Sequence, residues 1–515
     1  MTTKLAKITF GLLLFILIGY GCLLRVYQLD QQSYWIDEGY TLNAVLATLE
    51  HGYPILDSGY HYSRGLLNTY LISLATKVGG FNPWATRSVA VVFGTAFIIL
   101  IYYFTKKLFD KKTAVFTAIF VTFSYWEIAW SRQARMYIQL QFFFFLSLYL
   151  FWLLLEKFSY KRLIMLIIST LLAILSHALG IILLAIYIIY LLLYKLYLDL
   201  EKRKNNKKLK EILPIWWEEI KNVNIWKILS VLFLLIILLA YTLPPVYKII
   251  ANLILKKSDY VGGGYQNFLI QEMRWILMLT MVGALWGLIK KQSFLNSLFL
   301  VLSYFVPFLL ITLSTDLGHY RYLFFILPIL YIFAGYLIKN ITELLIKRPI
   351  INTFLSLLLV AIIISNQGFV LLPKTYYPLE PKTPMPNFSG VYQIIKTTGW
   401  NNQLTIISPF PQMDKIYLGK SDYFLPISLT GKDSSLEQAL QPNKRQEIYT
   451  DAWVINNEQE LEQILRNYHG YIIFDTLAED RLGRPIIDLI RSQIHTKLIW
   501  NDSQNKQQNI WLWQF

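Results

Sequence analysis

The pattern of apolar positions along the chain predicts eleven membrane-spanning helices. A hydrocarbon core about 30 Å thick requires roughly 20 helical residues, and apolar runs of about that length recur up to about residue 370. The first run follows Lys4 and Lys7, and we interpret it as an uncleaved helix. The predicted spans are 8–27, 86–105, 113–130, 136–156, 162–177, 178–198, 225–243, 273–289, 293–313, 321–338 and 350–367.

Charge and composition orient these spans. Basic residues concentrate in loops that the span count places on a single side, which the positive-inside rule identifies as the cytoplasm. With an odd number of spans, everything after about residue 368 is then predicted to lie outside. The 515 residues are 55% hydrophobic, and the formal charge of +16 is accounted for by these loops, so we exclude a nucleic-acid partner. The single Cys22 excludes an intrachain disulfide.

Two segments outside the spans are long enough to fold on their own. The first outer loop, residues 28–85, has helical patterning at 41–49 and 66–78 and is rich in Trp and Tyr, which is typical of helices in the membrane interface. A Pro-rich linker after Leu371 leads into a segment with strand and helix patterns. The predicted strands are 404–407, 453–455 and 471–474, and the predicted helices are 435–440 and 458–468.

We therefore predict a mainly α protein in two parts. Residues 1–370 form a polytopic membrane helical bundle with interfacial helices in its first outer loop. Residues 371–515 form a soluble, extracytoplasmic α/β domain, because strands alternate with helices there. The protein is expected in the cytoplasmic membrane.

The candidate chemistry consists of two carboxylates and three arginines on the predicted outer side. Asp37 and Glu38 follow the first span in the stretch YWIDEGY. Arg132 and Arg135 lie in SRQARMY, where a spacing of three residues predicts one helix face. Arg321 follows His319 in HYRY. Short outer loops normally carry few cations, so the arginines are either a functional site or anchors for lipid headgroups.

These motifs, with His61-Tyr62, Arg87 and Pro328, resemble the GT-C membrane glycosyltransferases, in the branch of the protein mannosyltransferases and aminoarabinose transferases. The resemblance covers most of residues 1–370, and RQARMY is its most specific part. Many relatives have His-Pro-Pro where this chain has His61-Tyr62-Ser63. The resemblance implies transfer of a sugar from a polyprenyl-phosphate donor to an acceptor on the outer face, with lipid, glycan or protein as the acceptor.

The residues suit this chemistry independently. In an inverting displacement the attacking hydroxyl needs one base, and the leaving phosphate needs fixed cations, for which arginine is well suited. We predict Asp37 as the base, Glu38 as a residue that orients the acceptor or a cation, and a donor phosphate site of Arg132, Arg135 and Arg321. Further substrate contacts are expected from Tyr34, His61, Tyr62, Arg64, Tyr137, His319 and Tyr322. No cofactor is expected. The absence of an Asp-x-Asp motif from the outer loops argues against a metal site but leaves dependence on a divalent ion open.

Two other functions stay open at this point. A lipid or glycan transporter or flippase would also have many spans, although the sequence shows no internal repeat and no evident charge inside a span. A polysaccharide ligase or polymerase would be expected to use a long outer loop late in the chain, whereas the long membrane-adjacent loop here is the first one.

Overall fold

The computed structural model describes residues 2–205, 263–314, 320–366, 368–379, 385–426, 440–441, 444–476, 478–479, 484–492, 496–502 and 509–515. Most of these residues are helical. The helices are α1 Thr2–Val26, α2 Ile36–His51, α3 Leu66–Gly79, α4 Pro83–Leu108, α5 Lys111–Phe123, α6 Tyr125–Trp130, α7 Tyr137–Glu156, α8 Tyr160–Ser176, α9 Ile182–Asn205, α10 Gly263–Glu272, α11 Arg274–Ile289, α12 Phe294–Ser314, α13 Pro328–Leu345, α14 Pro349–Ile364, α15 Phe388–Thr397, α16 Pro411–Leu418, α17 Glu458–Asn467 and α18 Arg484–Ser492.

Apolar helices identify a multi-pass membrane protein. Among the described residues, five helical segments are long and apolar enough to cross a membrane, and three shorter helices are apolar as well. The five are Pro83–Leu108, Tyr137–Glu156, Ala178–Leu198, Phe294–Thr312 and Phe324–Leu345, and the three are Gly11–Val26, Arg274–Ile289 and Pro349–Ile364. The predicted span 225–243 lies outside the described residues, so the count of eleven stays a prediction.

The third and tenth predicted spans differ from continuous helices. The third is interrupted at Ser124, where α5 ends and α6 begins, and the backbone N–H of Tyr125 donates to the carbonyl of Gly368. The tenth starts with 3₁₀ turns at Tyr320–Tyr322 and Phe324–Ile326, and its α-helix begins only at Pro328. Proline is favoured at a helix start because its missing N–H is not needed there.

The helix ends predicted to face the cytoplasm lie together. Lys107 at the end of α4 pairs with Glu156 at the end of α7, with 2.6 Å between Nζ and Oε2. Lys112 at the start of α5 contacts Asn352 at the start of α14. Since these contacts join helix ends that the span count assigned to one side, they support the predicted alternation of the helices.

The first outer loop forms two helices, as predicted, and both are longer than the pattern indicated. The amino end of α2 is capped by Glu38, whose Oε2 accepts a hydrogen bond from the Trp35 backbone N–H at 2.9 Å. The helix ends at Gly52, whose left-handed backbone (φ 82°) is favourable only for glycine. The helix therefore starts at Ile36 and places Asp37 in its first turn.

The C-terminal region contains a six-stranded sheet with the order β3-β2-β1-β4-β6-β5. Its strands are β1 Thr405–Ser408, β2 Tyr423–Phe424, β3 Trp453–Val454, β4 Gly470–Asp475, β5 Lys497–Asn501 and β6 Ile510–Gln514. Strands β1 to β4 pair in parallel, whereas β6 pairs antiparallel with both β4 and β5. The predicted α/β class is therefore confirmed, although β2, β5 and β6 were missed and most of the predicted helix 435–440 lies outside the described residues.

The sheet region packs directly on the first outer loop. Leu42 and Val45 of α2 and Ile72 of α3 share one buried cluster with the core of the sheet. Helix α16 lies against α2, where the Asn43 amide donates to the Gln412 carbonyl at 3.0 Å. Gly39 makes this approach close, because a Cβ atom there would stand 2.7 Å from the sulfur of Met413. The helix that carries Asp37 is thus held against the C-terminal region.

Candidate active site

Asp37 lies between two arginines that are distant in sequence. Arg321 Nη1 donates to Asp37 Oδ2 at 2.7 Å, and Arg135 Nη2 lies 3.5 Å from the same oxygen. Arg135 also binds the Asp37 carbonyl at 2.9 Å and the Thr41 hydroxyl at 2.7 Å, which fixes it to the first turn of α2. The Asp37 side chain keeps 16% of its surface exposed and the Arg321 side chain 13%. The carboxylate is therefore neutralised by cations and still reachable.

Glu38 has a different environment although it is the next residue. It is completely buried, and Arg87 of α4 binds it through two parallel bonds of 2.9 Å, Nε to Oε1 and Nη2 to Oε2. The backbone N–H groups of Trp35 and Ala134 donate to the same two oxygens at 2.9 and 2.8 Å. All four lone-pair positions of the carboxylate are used. Of the two predicted roles, orienting a cation fits this geometry, whereas contact with an acceptor does not.

Arg132 is also directed away from Asp37. Its Nη1 donates to the carbonyls of Arg25 and Tyr27 at 3.0 and 2.8 Å, and its Nη2 to that of Gln28 at 3.2 Å. These carbonyls belong to the end of α1, where the last helical carbonyls lack intrahelical partners. Burial lowers the pKa of Arg132 to about 10, which leaves it charged at neutral pH. Its contacts give it the role of capping α1 and argue against the predicted contact with phosphate.

The segment between α6 and α7 explains why Arg132 and Arg135 contact different parts of the protein. Residues 131–136 form buried turns and not the helix start that the sequence predicted. The prediction that Arg132 and Arg135 share one helix face was therefore wrong. Burial opposes the charge of Arg135, but the neighbouring side chains of Tyr62 and Asp37 outweigh this and keep its pKa above the ordinary value. Arg135 remains a cation beside Asp37.

Aromatic rings surround the two arginines that contact Asp37. The Arg321 guanidinium lies 5.5 Å from the ring centres of Trp35 and Tyr322, and Arg135 lies 5.8 Å from that of Tyr137. His177, at the end of α8, lies with its ring 5.7 Å from Tyr137 and 6.1 Å from Tyr322. The predicted contacts Tyr137 and Tyr322 thus adjoin the site, and they hold its cations through their ring faces.

The other predicted contacts divide into two groups. Tyr62 is buried, with its hydroxyl 3.3 Å from Arg135 Nη1, and Arg64 is exposed within electrostatic range of Tyr62 and Arg135. His61 is exposed and forms a backbone bridge with Ile55. Tyr34 is buried, with its hydroxyl on Thr86 at 2.9 Å and its ring under Arg87, so it supports the Glu38–Arg87 pair. His319 lies outside the described residues.

Sequence reasoning missed the positions of several important residues. Arg87 entered only as part of a motif, although it is the partner that fixes Glu38. Trp35 and His177 received no role, although both adjoin the arginines or their tyrosines. Arg87 follows an Asn-Pro helix start at the predicted outer rim, and this excess of outer cations was the one signal that could have identified it.

Three charged side chains, Arg25, Arg87 and Glu127, are buried inside predicted spans, which corrects one argument against a transporter. Arg25 of α1 and Glu127 of α6 both have no exposed surface. Arg25 Nη1 donates to the Gly21 carbonyl at 2.9 Å, and Glu127 Oε1 accepts from Gln141 Nε2 at 3.0 Å. Because Arg25 lies in the last turn of α1 and Glu127 in the first turn of α6, their sequence context resembles an interface. The absence of buried charge therefore no longer distinguishes the two functions.

Comparisons with known proteins bear on the fold and on the class of reaction. Residues 63–207 match the sequence family described as dolichyl-phosphate-mannose-protein mannosyltransferase. No curated protein matches the chain by sequence. The structure is similar to ArnT from Cupriavidus metallidurans, solved with bound undecaprenyl phosphate, at 11% identity and a TM-score of 0.59, and the match covers 97% of each chain.

A second similarity is to the oligosaccharyltransferase of Archaeoglobus fulgidus, solved with a tethered acceptor peptide. The identity is 12% and the TM-score 0.56, over 91% of this chain and 69% of that one. The structure of the archaeal AglB with an inhibitory peptide and a dolichol-phosphate matches at 12% identity and a TM-score of 0.51, over 80% of this chain and 64% of that one, so the match spans less than two thirds of AglB. Together, the family match and the shared fold confirm the predicted resemblance to the GT-C superfamily of membrane glycosyltransferases and indicate that this chain is a glycosyltransferase.

Proposed function

We propose that the protein transfers a sugar, with inversion, from a polyprenyl-phosphate donor to an acceptor hydroxyl on the outer face of the cytoplasmic membrane. The observation that carries the proposal is the Asp37 carboxylate, accessible and held between Arg135 and Arg321. A displacement of this kind requires one base beside fixed cations, and this site provides both. The lipid-linked ligands of ArnT and AglB support the choice of donor.

These groups account for the bond that forms, the bond that breaks and the proton that is transferred. The acceptor oxygen attacks the anomeric carbon while its proton passes to Asp37, and the bond between that carbon and the phosphate oxygen breaks. The electron pair of that bond leaves with the lipid phosphate. Because the phosphate departs as an anion, it needs positive charge and no proton, and the arginines provide a planar donor pattern that fits phosphate oxygens.

The local charge supports a phosphate site made of Arg64, Arg135 and Arg321. These three guanidiniums all lie within electrostatic range of His177, so they surround one region. Arg135 and Arg321 share the Asp37 carboxylate, and Arg64 is exposed in the same region. Three guanidiniums in one region supply positive charge that stabilises a departing phosphate anion. Arg64 therefore replaces Arg132 in our assignment.

A single base supports inversion over retention. A retaining mechanism uses a second carboxylate as nucleophile, about 5 Å across the sugar from the first. Glu38 cannot take that part, because its oxygens are occupied by Arg87 and two backbone amides inside the protein. Asp37 then acts on the acceptor in one displacement.

The test is an assay with purified full-length protein in lipid nanodiscs. The donors are undecaprenyl-phosphate sugars, beginning with mannose, and membrane extracts supply the acceptors. We expect release of undecaprenyl phosphate coupled to appearance of the sugar on an acceptor, and loss of both in Asp37→Asn. Movement of intact donor between leaflets without any product would favour a flippase, and elongation of a glycan chain would favour a polymerase.

We also propose that residues 371–515 form a domain on the outer side, with the active site at the same face. Gln459 on α17 is exposed in this domain, and Lys161 on α8 is exposed at the opposite end of the bundle. In a Cys22→Ala background, a membrane-impermeant thiol reagent should label Gln459→Cys in intact cells and Lys161→Cys only after permeabilisation. The reverse pattern would place the site in the cytoplasm.

A further inference from the structure

A turn of the C-terminal region reaches the first outer loop through one aromatic residue. The ring of Tyr449 lies 4.6 Å from that of Tyr40 on α2 and 5.3 Å from that of Tyr60, which it meets edge to face. All three residues are half-buried, and they pack on the buried residues Ala44, Ala47, Leu56 and Tyr62. We call Tyr40, Tyr60 and Tyr449 the tyrosine cluster.

The turn that carries Tyr449 is rigidly built. The buried carboxylate of Glu447 accepts hydrogen bonds from the Tyr449 backbone N–H and the Thr450 hydroxyl, both at 2.9 Å. Asp451 adopts a left-handed backbone (φ 64°), and the Ser58 hydroxyl donates to the carbonyl of Ile448. The position of the Tyr449 ring is therefore fixed before any ligand binds, which lowers the entropic cost of binding.

The tyrosine cluster adjoins the candidate active site. Tyr40 follows Asp37 by three residues on α2, so the two side chains leave the same side of the helix one turn apart. Tyr62, two residues beyond Tyr60, contacts Arg135 directly. The tyrosine cluster therefore lies one helical turn from Asp37 and next to a residue that contacts Arg135.

We propose that the tyrosine cluster binds a sugar ring of the acceptor, so that the acceptor is a glycan or a glycolipid headgroup. Aromatic faces pack on the apolar C–H face of a sugar ring, and the phenol hydroxyls can donate to or accept from its hydroxyl groups. The inference rests on the proposed function, since it assigns the acceptor for the base Asp37. It gives the C-terminal region a part in substrate binding.

Two observations favour a sugar over the other ligands that reach this site. The phosphate requires guanidiniums, whereas the cluster offers three uncharged phenols with Arg64 in electrostatic range of Tyr449 and Tyr60, which suits a neutral, hydroxyl-rich ring. An extended peptide that adds a strand would need unpaired backbone groups on the protein. In this turn, however, the Glu447 N–H donates to the Ala452 carbonyl, and the Asp451 N–H donates to the Glu447 carbonyl. A sugar needs only the ring faces and hydroxyls.

The test is saturation-transfer NMR of a panel of methyl glycosides with the full-length protein in nanodiscs. We expect at least one glycoside to bind, with about tenfold weaker affinity in Tyr449→Leu, which keeps apolar volume without the ring, and a smaller loss in Tyr449→Phe. Tyr468→Leu is the matched control, because Tyr468 is 49% exposed in the same region and contacts Tyr423 at a ring distance of 6.4 Å. The control should bind like wild type.

Binding of undecaprenyl phosphate is measured on the same samples. Lipid binding that is equal in wild type and Tyr449→Leu shows that the variant is folded and keeps its donor site. If no glycoside binds wild type, or all variants bind alike, the inference is overturned while the proposed function stands. If a Ser-containing peptide binds instead, and this binding is lost in Tyr449→Leu, the tyrosine cluster binds a peptide acceptor and not a sugar. If the lipid does not bind wild type, the proposed function fails separately.

Discussion

Arg321 Nη1 lies 2.7 Å from Asp37 Oδ2, although the two residues are 284 positions apart. The contact joins the first turn of α2 to the 3₁₀ turn before α13. In the proposed function, a donor phosphate competes with Asp37 for this guanidinium. Donor binding would therefore release the carboxylate to act as a base, which couples the arrival of the donor to readiness for the acceptor.

Asp37→Asn should abolish transfer and leave donor binding intact or tighter. Removal of a positioned general base typically lowers the rate by about 100-fold to 10,000-fold, and removal of the negative charge takes away the competitor for Arg135 and Arg321. Turnover and undecaprenyl phosphate affinity are measured side by side. Asp30→Asn, at an exposed position in the same loop, is the control. Near wild-type turnover in Asp37→Asn would remove the base from this site.

Glu38→Gln should lower stability, not only turnover. The substitution leaves the Arg87 guanidinium buried without its partner, and breaking a buried ion pair in this way costs about 3–5 kcal/mol. We expect a clear fall in the thermal unfolding temperature in detergent. Glu50→Gln should be neutral, because Glu50 is exposed and its ion pair with His51, at 3.8 Å, lies at the surface. A stable but inactive Glu38→Gln would instead favour a direct catalytic role.

Substitutions of the arginines should fall into two groups, one that weakens lipid binding and one that lowers the stability of the protein. Arg64→Ala and Arg135→Ala should weaken undecaprenyl phosphate binding, and Arg135→Lys should do so nearly as much as alanine, because an ammonium does not reproduce the planar donor pattern. Arg132→Ala should instead destabilise the protein, because the carbonyls of Arg25, Tyr27 and Gln28 lose their donor. Weaker lipid binding in a stable Arg132→Ala protein would restore Arg132 to the phosphate site.

Asp414 should make the stability of the C-terminal sheet depend on pH. Burial raises its pKa to about 7, although hydrogen bonds from Ser408, Tyr392 and Ser421 favour the ionised form. Between about pH 4 and pH 7, Asp414 is therefore ionised in the unfolded chain and protonated in the folded protein. Because the folded state binds the extra proton, the free energy of unfolding falls as pH rises through this window. It levels off above about pH 7.

Hydrogen exchange of the β1 and β4 amides, corrected for intrinsic rates, measures this dependence in the full-length protein. Asp414→Asn should remove the decline between pH 4 and pH 7 by up to a few kcal/mol, with Asp422→Asn as the comparison on a half-buried neighbour. A decline that persists unchanged in Asp414→Asn would assign it to another group.

The sequence by itself determined the membrane helices, the two helices of the first outer loop and the α/β class of the C-terminal region. These follow from local periodicity and from the length of apolar runs, which are properties of neighbouring residues. It also singled out Asp37, Arg135 and Arg321, because charges on the predicted outer rim are visible without a fold. Strand β5 was missed because it is largely exposed, and β6 because only its pairing with β4 and β5 places it in the sheet.

Only the tertiary structure decided which charged groups face the site. Asp37 and Glu38 are equivalent in sequence, yet one remains accessible and the other is enclosed by Arg87 and the Ala134 amide. Arg132 and Arg135 separate because residues 131–136 form turns, so their spacing of three does not put them on one face. Tyr449 reaches Tyr40 across more than 400 residues of chain because the sheet packs on α2. The direction of a side chain and its partner from a distant segment depend on packing, and local pattern does not encode them.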